Sequence, residues 1–268
     1  MSWGPLNTHS PTHTFAPLFL SRIRRELVAI LTNPVPGIHV VADEQDITLV
    51  HCLIVGPAYT PYEGGFFYFI VRFPPNYPIA PLKVKLMTTG GSTVRFNRNL
   101  DRDGTVCLSI LGPRSSWEGP GWSPLQSLTS VLISIQSLMN SKPYHNKPGN
   151  YIQIFPDGEQ DNQLIQHETL RVAVVGMLDN DYSINLPQPL RQIMENYFVN
   201  NYQTYTTLIE RRFHLNGATL KDRFKCSVCQ PLYKCDYKQI RKRIGIIYKR
   251  LHGGSDGFWK RISDFISY

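Results

Sequence analysis

From residue 17 the apolar positions recur at steps of three and four, at Leu20, Ile23, Leu27, Ile30 and Leu31, with Arg22, Arg24, Arg25 and Glu26 between them. That spacing predicts a helix over 17–31, stopped by Asn33-Pro34-Val35-Pro36-Gly37. β-Branched runs at 38–41 and 47–55, an aromatic run at 65–73 and the apolar/charged alternation of 82–86 predict strands. Tyr62-Glu63-Gly64-Gly65 reads as a hairpin turn, and the prolines of Phe73-Pro74-Pro75-Asn76-Tyr77-Pro78 end the third strand, since proline cannot donate to a ladder. Trp122-Ser123-Pro124 reads as a helix start, with Ser123 capping and Pro124 in the first turn. Leu125, Leu128, Val131, Leu132, Ile135, Leu138 and Met139 then keep one apolar face. Beyond a polar connection, 3.6-residue periodicity predicts helices over 162–178, 189–213 and 237–251. This order predicts an α+β fold, with helices segregated from one antiparallel meander.

Composition narrows the class. With 268 residues, 42% hydrophobic and 12% aromatic, the chain is globular and long enough for one core and a second unit. No apolar run approaches the roughly 20 residues that span a bilayer. Met1-Ser2-Trp3-Gly4-Pro5 lacks a basic segment followed by an apolar one, so secretion is not expected. Five cysteines, at positions 52, 107, 226, 229 and 235, form no disulfide framework and suit a reducing compartment, cytoplasmic or nuclear. The net charge of +8 is unevenly placed: residues 1–220 hold 16 Lys and Arg against 16 Asp and Glu, while residues 221–268 hold 12 against 4. The tail's basic residues Lys238, Arg241, Lys242, Arg243, Lys249 and Arg250 read either as a solvated helix face or as a dock for an acidic partner. No aromatic-interleaved platform accompanies them, so nucleic acid is not expected.

Cys107 is the candidate for chemistry. It follows the turn Asp101-Arg102-Asp103-Gly104, with the side-chain amide of Asn99 eight residues before it. A thiol so placed suits attack on a thioester, with the amide N–H stabilising the oxyanion that forms. A buried structural cysteine is the competing reading for Cys107, and a plain turn-former the competing one for Asn99. Cys226, Cys229 and Cys235, with His214, suggest a zinc site; the irregular gap favours free thiols in a loop.

Pro61-Tyr62-Glu63-Gly64-Gly65-Phe66-Phe67, then Phe73 to Pro78, then Gly104-Thr105-Val106-Cys107-Leu108-Ser109-Ile110-Leu111, Trp122-Ser123-Pro124 and the helix 131–138 stand in an order that resembles the ubiquitin-conjugating enzymes. Pro143-Tyr144-His145-Asn146-Lys147-Pro148-Gly149, Lys85 to Gly90, His167 to Val174 and Pro189-Leu190-Arg191 resemble one branch of that family carrying a C-terminal extension. The resemblance implies a flexible N-terminus over 1–16, a conjugating domain over 17–150 and a helical extension with a basic tail over 151–268.

It also implies a two-step acyl carrier. Cys107 would accept the C-terminal glycine of ubiquitin, or of a ubiquitin-like modifier, from an activating enzyme and yield it to a protein substrate's lysine or to a ligase. No cofactor is implied; ATP is consumed earlier. Where most members read His-Pro-Asn, this chain reads Asn97-Arg98-Asn99, so the oxyanion amide is kept and Arg98 replaces a turn-fixing proline. No carboxylate stands at 145–146; His145, beside Asn146, reads as a proton acceptor for the attacking lysine or as a loop histidine packed on Tyr144. Ser109 occupies another position where relatives often carry an acid. Arg22, Arg24 and Arg25 match a face that docks the activating enzyme. Pro78, Ile79, Trp122, Ser123, Pro124 and Leu125 match two loops that dock ligases and the activating enzyme, with packing the favoured role for Trp122. Residues 112–121 form a longer loop with no assigned role. A non-catalytic binding member of the same fold is the alternative. Giant hybrid conjugating enzymes share the Phe-Asn-x-Asn and Pro-Tyr-x-Asn signatures, but their chains are far longer.

Overall fold

A computed structural model of the chain describes residues 17–112, 121–146, 159–221 and 232–266, with 144, 145, 221, 232 and 254–266 described in backbone only. The first helix, α1, spans Pro17–Thr32 and buries Phe19, Ile23, Leu27 and Ile30, together with the acidic Glu26. Strands β1 (Ile38–Ala42), β2 (Leu49–Val55), β3 (Phe66–Arg72) and β4 (Lys83–Leu86) follow as an antiparallel meander in chain order. In β4 the alternation holds, with Lys83 exposed and Val84 and Leu86 buried. The architecture is α+β.

Helix α2 spans Leu128–Ser137 and starts later than the sequence predicts. Ser127, not Ser123, is its cap: its hydroxyl accepts the Ser130 N–H, and the Ser130 hydroxyl accepts the Ser127 N–H, closing a capping box. Residues 123–126 form a separate turn, in which the Gln126 N–H donates to the Ser123 carbonyl. The Leu128 N–H, a free donor of the first turn, goes to the buried carboxylate of Glu26 at 2.7 Å.

The C-terminal part is helical, with boundaries the periodicity does not give. Helix α3 (Glu159–Glu168) runs into a π-helical stretch, Thr169–Gly176, and a last turn, Met177–Asp179. The segment predicted over 189–213 is two helices, α4 (Gln188–Asn200) and α5 (Tyr202–Arg212). Between them the Asn201 amide turns back onto the Tyr197 carbonyl at 2.8 Å, offering the chain an alternative to continuing the helix. A short hairpin, β5 (Thr219–Lys221) with β6 (Leu232–Lys234), goes unpredicted, and α6 extends over Tyr237–Ile266.

Every residue of β2 and β3 is buried, because the sheet is covered on both faces. Val50, Cys52, Ile54, Phe67, Phe69 and Val71 pack with α1 and α2. Leu49, Leu53, Val55, Phe66, Tyr68 and Ile70 pack with Leu170, Val174, Met177, Leu190, Met194, Phe198 and Tyr205 of the C-terminal helices. The π-helical stretch joins the two cores, contributing Val172 and Ala173 to the first and Leu170, Val174 and Val175 to the second. Helix α6 seats Ile240, Ile244 and Ile247 on the second core. Two residues of its basic face turn inward: Arg243 bonds Asp179 at 2.6 Å and Asp181 at 2.7 Å, and Arg250 bonds Asp179 at 3.0 Å. Among the described residues, no helix is long and apolar enough to cross a membrane.

Candidate active site

The loop bearing Cys107 is tied to the sheet before it reaches the sulfur. Gly104 closes the turn, donating its N–H to Asp101 O at 3.0 Å, while its own carbonyl accepts the Leu86 N–H at 2.9 Å. Its φ is +87°, and a Cβ there would fall 2.3 Å from Leu86 O, so the position requires glycine. Arg95 braces the turn by donating Nε–H to Asp101 Oδ1 at 3.0 Å. Cys107 itself is partly exposed and reachable from solvent.

Asn99 and Cys107 are joined twice. The Cys107 N–H donates to Asn99 O at 2.8 Å, and Asn99 Nδ2 donates to the Cys107 carbonyl at 2.7 Å. A side-chain amide nitrogen carries two hydrogens, and among the described residues this bond uses one. Among the described residues, Asn99 Oδ1 is buried without a hydrogen-bond partner. The amide is therefore held beside the thiol's own backbone, with one N–H not used in that bond.

Asn97 organises what precedes it. Fully buried, its Oδ1 accepts the N–H groups of Asn99 at 2.7 Å and Leu100 at 3.0 Å, and its Nδ2 donates to the Tyr62 hydroxyl at 3.2 Å and Leu138 O at 3.4 Å. The turn across Arg98 is thus closed by the Asn97 side chain, which offsets the missing fixed φ of a proline. Tyr62, buried, donates its hydroxyl to Phe96 O at 2.9 Å. Its sequence signal is only that of a turn residue, and the role it plays here is not visible from it.

On the other side, the segment after α2 is pinned by Asn146. Its Nδ2 donates to Leu138 O at 2.7 Å and its Oδ1 accepts from Asn140 at 2.6 Å, so both ends of this amide hold the loop. His145 lies in the 3-10 turn Pro143–Asn146, and its side chain is outside the described residues. Ser109 opens the turn Ser109–Leu111, whose closing bond is Gly112 N–H to Ser109 O at 2.9 Å. Residues 113–120 of the long loop lie outside the described residues, as do Cys226 and Cys229. Cys235 is buried, and burial, with the nearby Glu168 carboxylate, pushes its thiol up to about 11. Among the described residues no group of three His, Cys, Asp or Glu side chains gathers for a metal.

The expected docking residues sort by what they touch. Arg22 is engaged internally, with Nε on Glu26 at 2.6 Å and Nη2 on Gln126 O at 3.1 Å. Arg24 and Arg25 stay exposed on α1 beside the outward Leu18, Val28 and Leu31. Trp122 is buried, donating Nε1–H to Pro78 O at 2.7 Å and packing on the Tyr77 ring. It locks one loop to the other, leaving Ile79 77% and Leu125 92% exposed. Pro124 is exposed and Ser123 partly so. Glu26, which sequence reasoning treats as a polar spacer, joins this frame: its carboxylate accepts from Arg22, from the Leu128 N–H and from the Tyr77 hydroxyl. Burial first, and Glu26 second, raise the Tyr77 hydroxyl above its ordinary value.

A family model described as "Ubiquitin-conjugating enzyme" matches residues 22–169. The chain is 47% identical over 251 residues to a ubiquitin-conjugating enzyme E2 Z of Homo sapiens, covering 93% of this chain and 68% of the relative. A ubiquitin-conjugating enzyme E2 Z of Danio rerio is 46% identical over 252 residues, covering 93% and 74%. A dual E2 ubiquitin-conjugating enzyme/E3 ubiquitin-protein ligase of Homo sapiens is 44% identical over 137 residues, which is 48% of this chain but 3% of that protein.

Proposed function

The chain belongs to the ubiquitin-conjugating enzymes, and we propose that Cys107 is the residue on which it carries ubiquitin, or a ubiquitin-like modifier, as a thioester. The Cys107 thiolate attacks the carbonyl carbon of the activating enzyme's thioester. A new C–S bond forms, the carbonyl oxygen becomes an oxyanion, and its collapse expels the activating enzyme's thiolate, which takes up a proton. Exchange of one thioester for another is nearly neutral in energy, so placement and oxyanion stabilisation supply the catalysis. In the second step a neutral lysine amine attacks the same carbonyl, loses a proton, and Cys107 leaves as thiolate. A thiol is already partly ionised at neutral pH, so loading needs no dedicated base.

The observation that carries this reading is the reciprocal pairing of a partly exposed Cys107 with the Asn99 amide. Asn99 is assigned to the oxyanion and His145 to the proton of the attacking lysine, while Asn146 holds the loop that presents His145. No observation favours a non-catalytic member of the fold.

The family works with ubiquitin, an activating enzyme and ligases. For this chain we assign the activating enzyme to Arg24 and Arg25 with the apolar rim of α1, and ligases to Ile79 and Leu125. Arg22, Pro78, Trp122, Ser123 and Pro124 set the shape of those surfaces. The unpaired thiols of Cys52, Cys107 and Cys235 suit a cytosolic or nuclear setting.

The test is direct. Incubated with activating enzyme, ATP and ubiquitin, the protein should form an adduct that reductant removes on a gel. Cys107→Ala should form none, and Cys107→Ser should form an ester that survives thiol reductant. Absence of any adduct from the wild-type chain, with ubiquitin and with ubiquitin-like modifiers, would overturn the assignment.

A further inference from the structure

We propose that Tyr205, on the C-terminal helix α5, is a positioning residue for the Cys107 site; the proposal rests on the reading of Cys107 as the thioester carrier. Tyr205 is buried, and its hydroxyl donates to the carbonyl of Gly64 at 2.8 Å, across 141 positions of sequence. The contact is close as well as polar. Gly64 has φ +71°, and a Cβ there would stand 2.9 Å from Cε1 of the Tyr205 ring, so the ring fills the space beside this turn.

The turn that Tyr205 holds is the one that holds the segment leading to Cys107. Gly65 N–H bonds Tyr62 O at 2.9 Å, and the Tyr62 hydroxyl donates to Phe96 O at 2.9 Å while accepting from Asn97 at 3.2 Å. Asn97 captures the Asn99 N–H, and Asn99 bonds Cys107 in both directions. From the Tyr205 hydroxyl to the Cys107 backbone, every step is a hydrogen bond or passes through one residue or a short turn. These groups are packed and mostly buried, so a shift of the turn has little slack in which to dissipate. The proposed docking surfaces hang on a different frame, through Glu26 and Trp122. Loss of the Tyr205 hydroxyl therefore acts on the chemical step and spares docking.

Tyr205→Phe keeps the ring and deletes the bond. Single-turnover discharge of preloaded ubiquitin to free lysine should slow roughly three- to tenfold, the range one hydrogen bond commands, with the loading KM for charged activating enzyme unchanged. In a Tyr62→Phe background the same substitution should add little, because both act through one turn. A purely structural role lowers the melting temperature and leaves discharge at 25 °C untouched; that result, or independent multiplication of the two effects, would overturn the proposal. Hydrogen exchange at the Cys107 amide reads the turn without a thioester. It should quicken in Tyr205→Phe, and unchanged exchange would also defeat the proposal. Should the wild-type chain take no modifier, the carrier reading falls while the exchange measurement still decides the coupling.

Discussion

Asn97 and Asn146 donate to one carbonyl, that of Leu138, at 3.4 and 2.7 Å. The C-cap of α2 is thereby the junction between the segment that leads to Cys107 and the loop that bears His145. A carbonyl oxygen has two lone pairs, and here both are spent on aligning the two sides of the site.

Asn146→Ala removes the stronger of those bonds and the anchor of Asn140. It should cost about 1–3 kcal/mol in urea denaturation and slow lysine discharge, while loading proceeds at the wild-type rate. His145→Ala should slow discharge alike but leave stability near wild type. Equal discharge by His145→Ala and wild type would remove that residue from the mechanism.

The sequence carries this site unevenly, and the reasons are physical. Residues 17–112 are legible because α1 keeps a clean period, the strands are β-branched, aromatic or alternating runs, and Cys107 sits among long motifs. The helix-start signature at Ser123-Pro124 places the start of α2 too early, because the Ser127–Ser130 exchange that caps it is visible only in the fold. The π-helical stretch has no signature in a Val-rich run. The runs of β2 and β3 predict strands, but that helices cover both faces of the sheet is seen only in the fold. Nor does anything local announce Tyr205 on Gly64 or Arg243 on Asp179, because each contact joins segments that are distant along the chain.

Asn99→Ala should leave the fold standing and slow acyl transfer, because each half-reaction passes through an oxyanion. The Cys107 carbonyl loses its side-chain partner, while the Cys107 N–H keeps its main-chain bond to the Asn99 carbonyl. Loss of one oxyanion donor typically costs about a hundredfold or more in rate, so discharge to lysine should fall by that order. Asn99→Asp, which places acceptors where the carbonyl and the oxyanion need a donor, should be worse than alanine. If alanine and wild type discharge at equal rates in a single-turnover assay, the amide serves the turn alone.

Acid should act through Glu168. Burial pushes this carboxyl up, but hydrogen bonds from His167 and Arg171 outweigh it and hold the group below the usual carboxylate range. A folded value depressed in this way contributes stability that is present above the unfolded value of about 4.3 and lost as pH falls through the folded one. Thermal melts should therefore fall away below about pH 4.5. Glu168→Gln should melt lower at pH 7, by about 1–3 kcal/mol, and show a flatter acid limb. An acid limb as steep as wild type in Glu168→Gln would move the effect elsewhere.

The basic tail is held by carboxylates as well as by packing. Arg243 meets Asp179 and Asp181, and Arg250 meets Asp179 while donating to Leu178 O at 3.1 Å. Both arginines are partly solvent-exposed, so the network is worth little per pair, and its charges are screened by salt. The buried isoleucines supply the bulk of the α6 contact, and the network fixes its register on the turn after the π-helical stretch. Arg243→Ala should destabilise by about 1 kcal/mol at low ionic strength, and the difference from wild type should shrink toward zero near about 1 M salt. Hydrogen exchange should quicken along 237–251 and hardly change in β1–β4. Ile244→Ala, which cuts into the core beneath, should cost about 2–5 kcal/mol at every salt concentration. A loss in Arg243→Ala that does not respond to salt would show that packing of its side-chain stem, and not the carboxylates, does the holding.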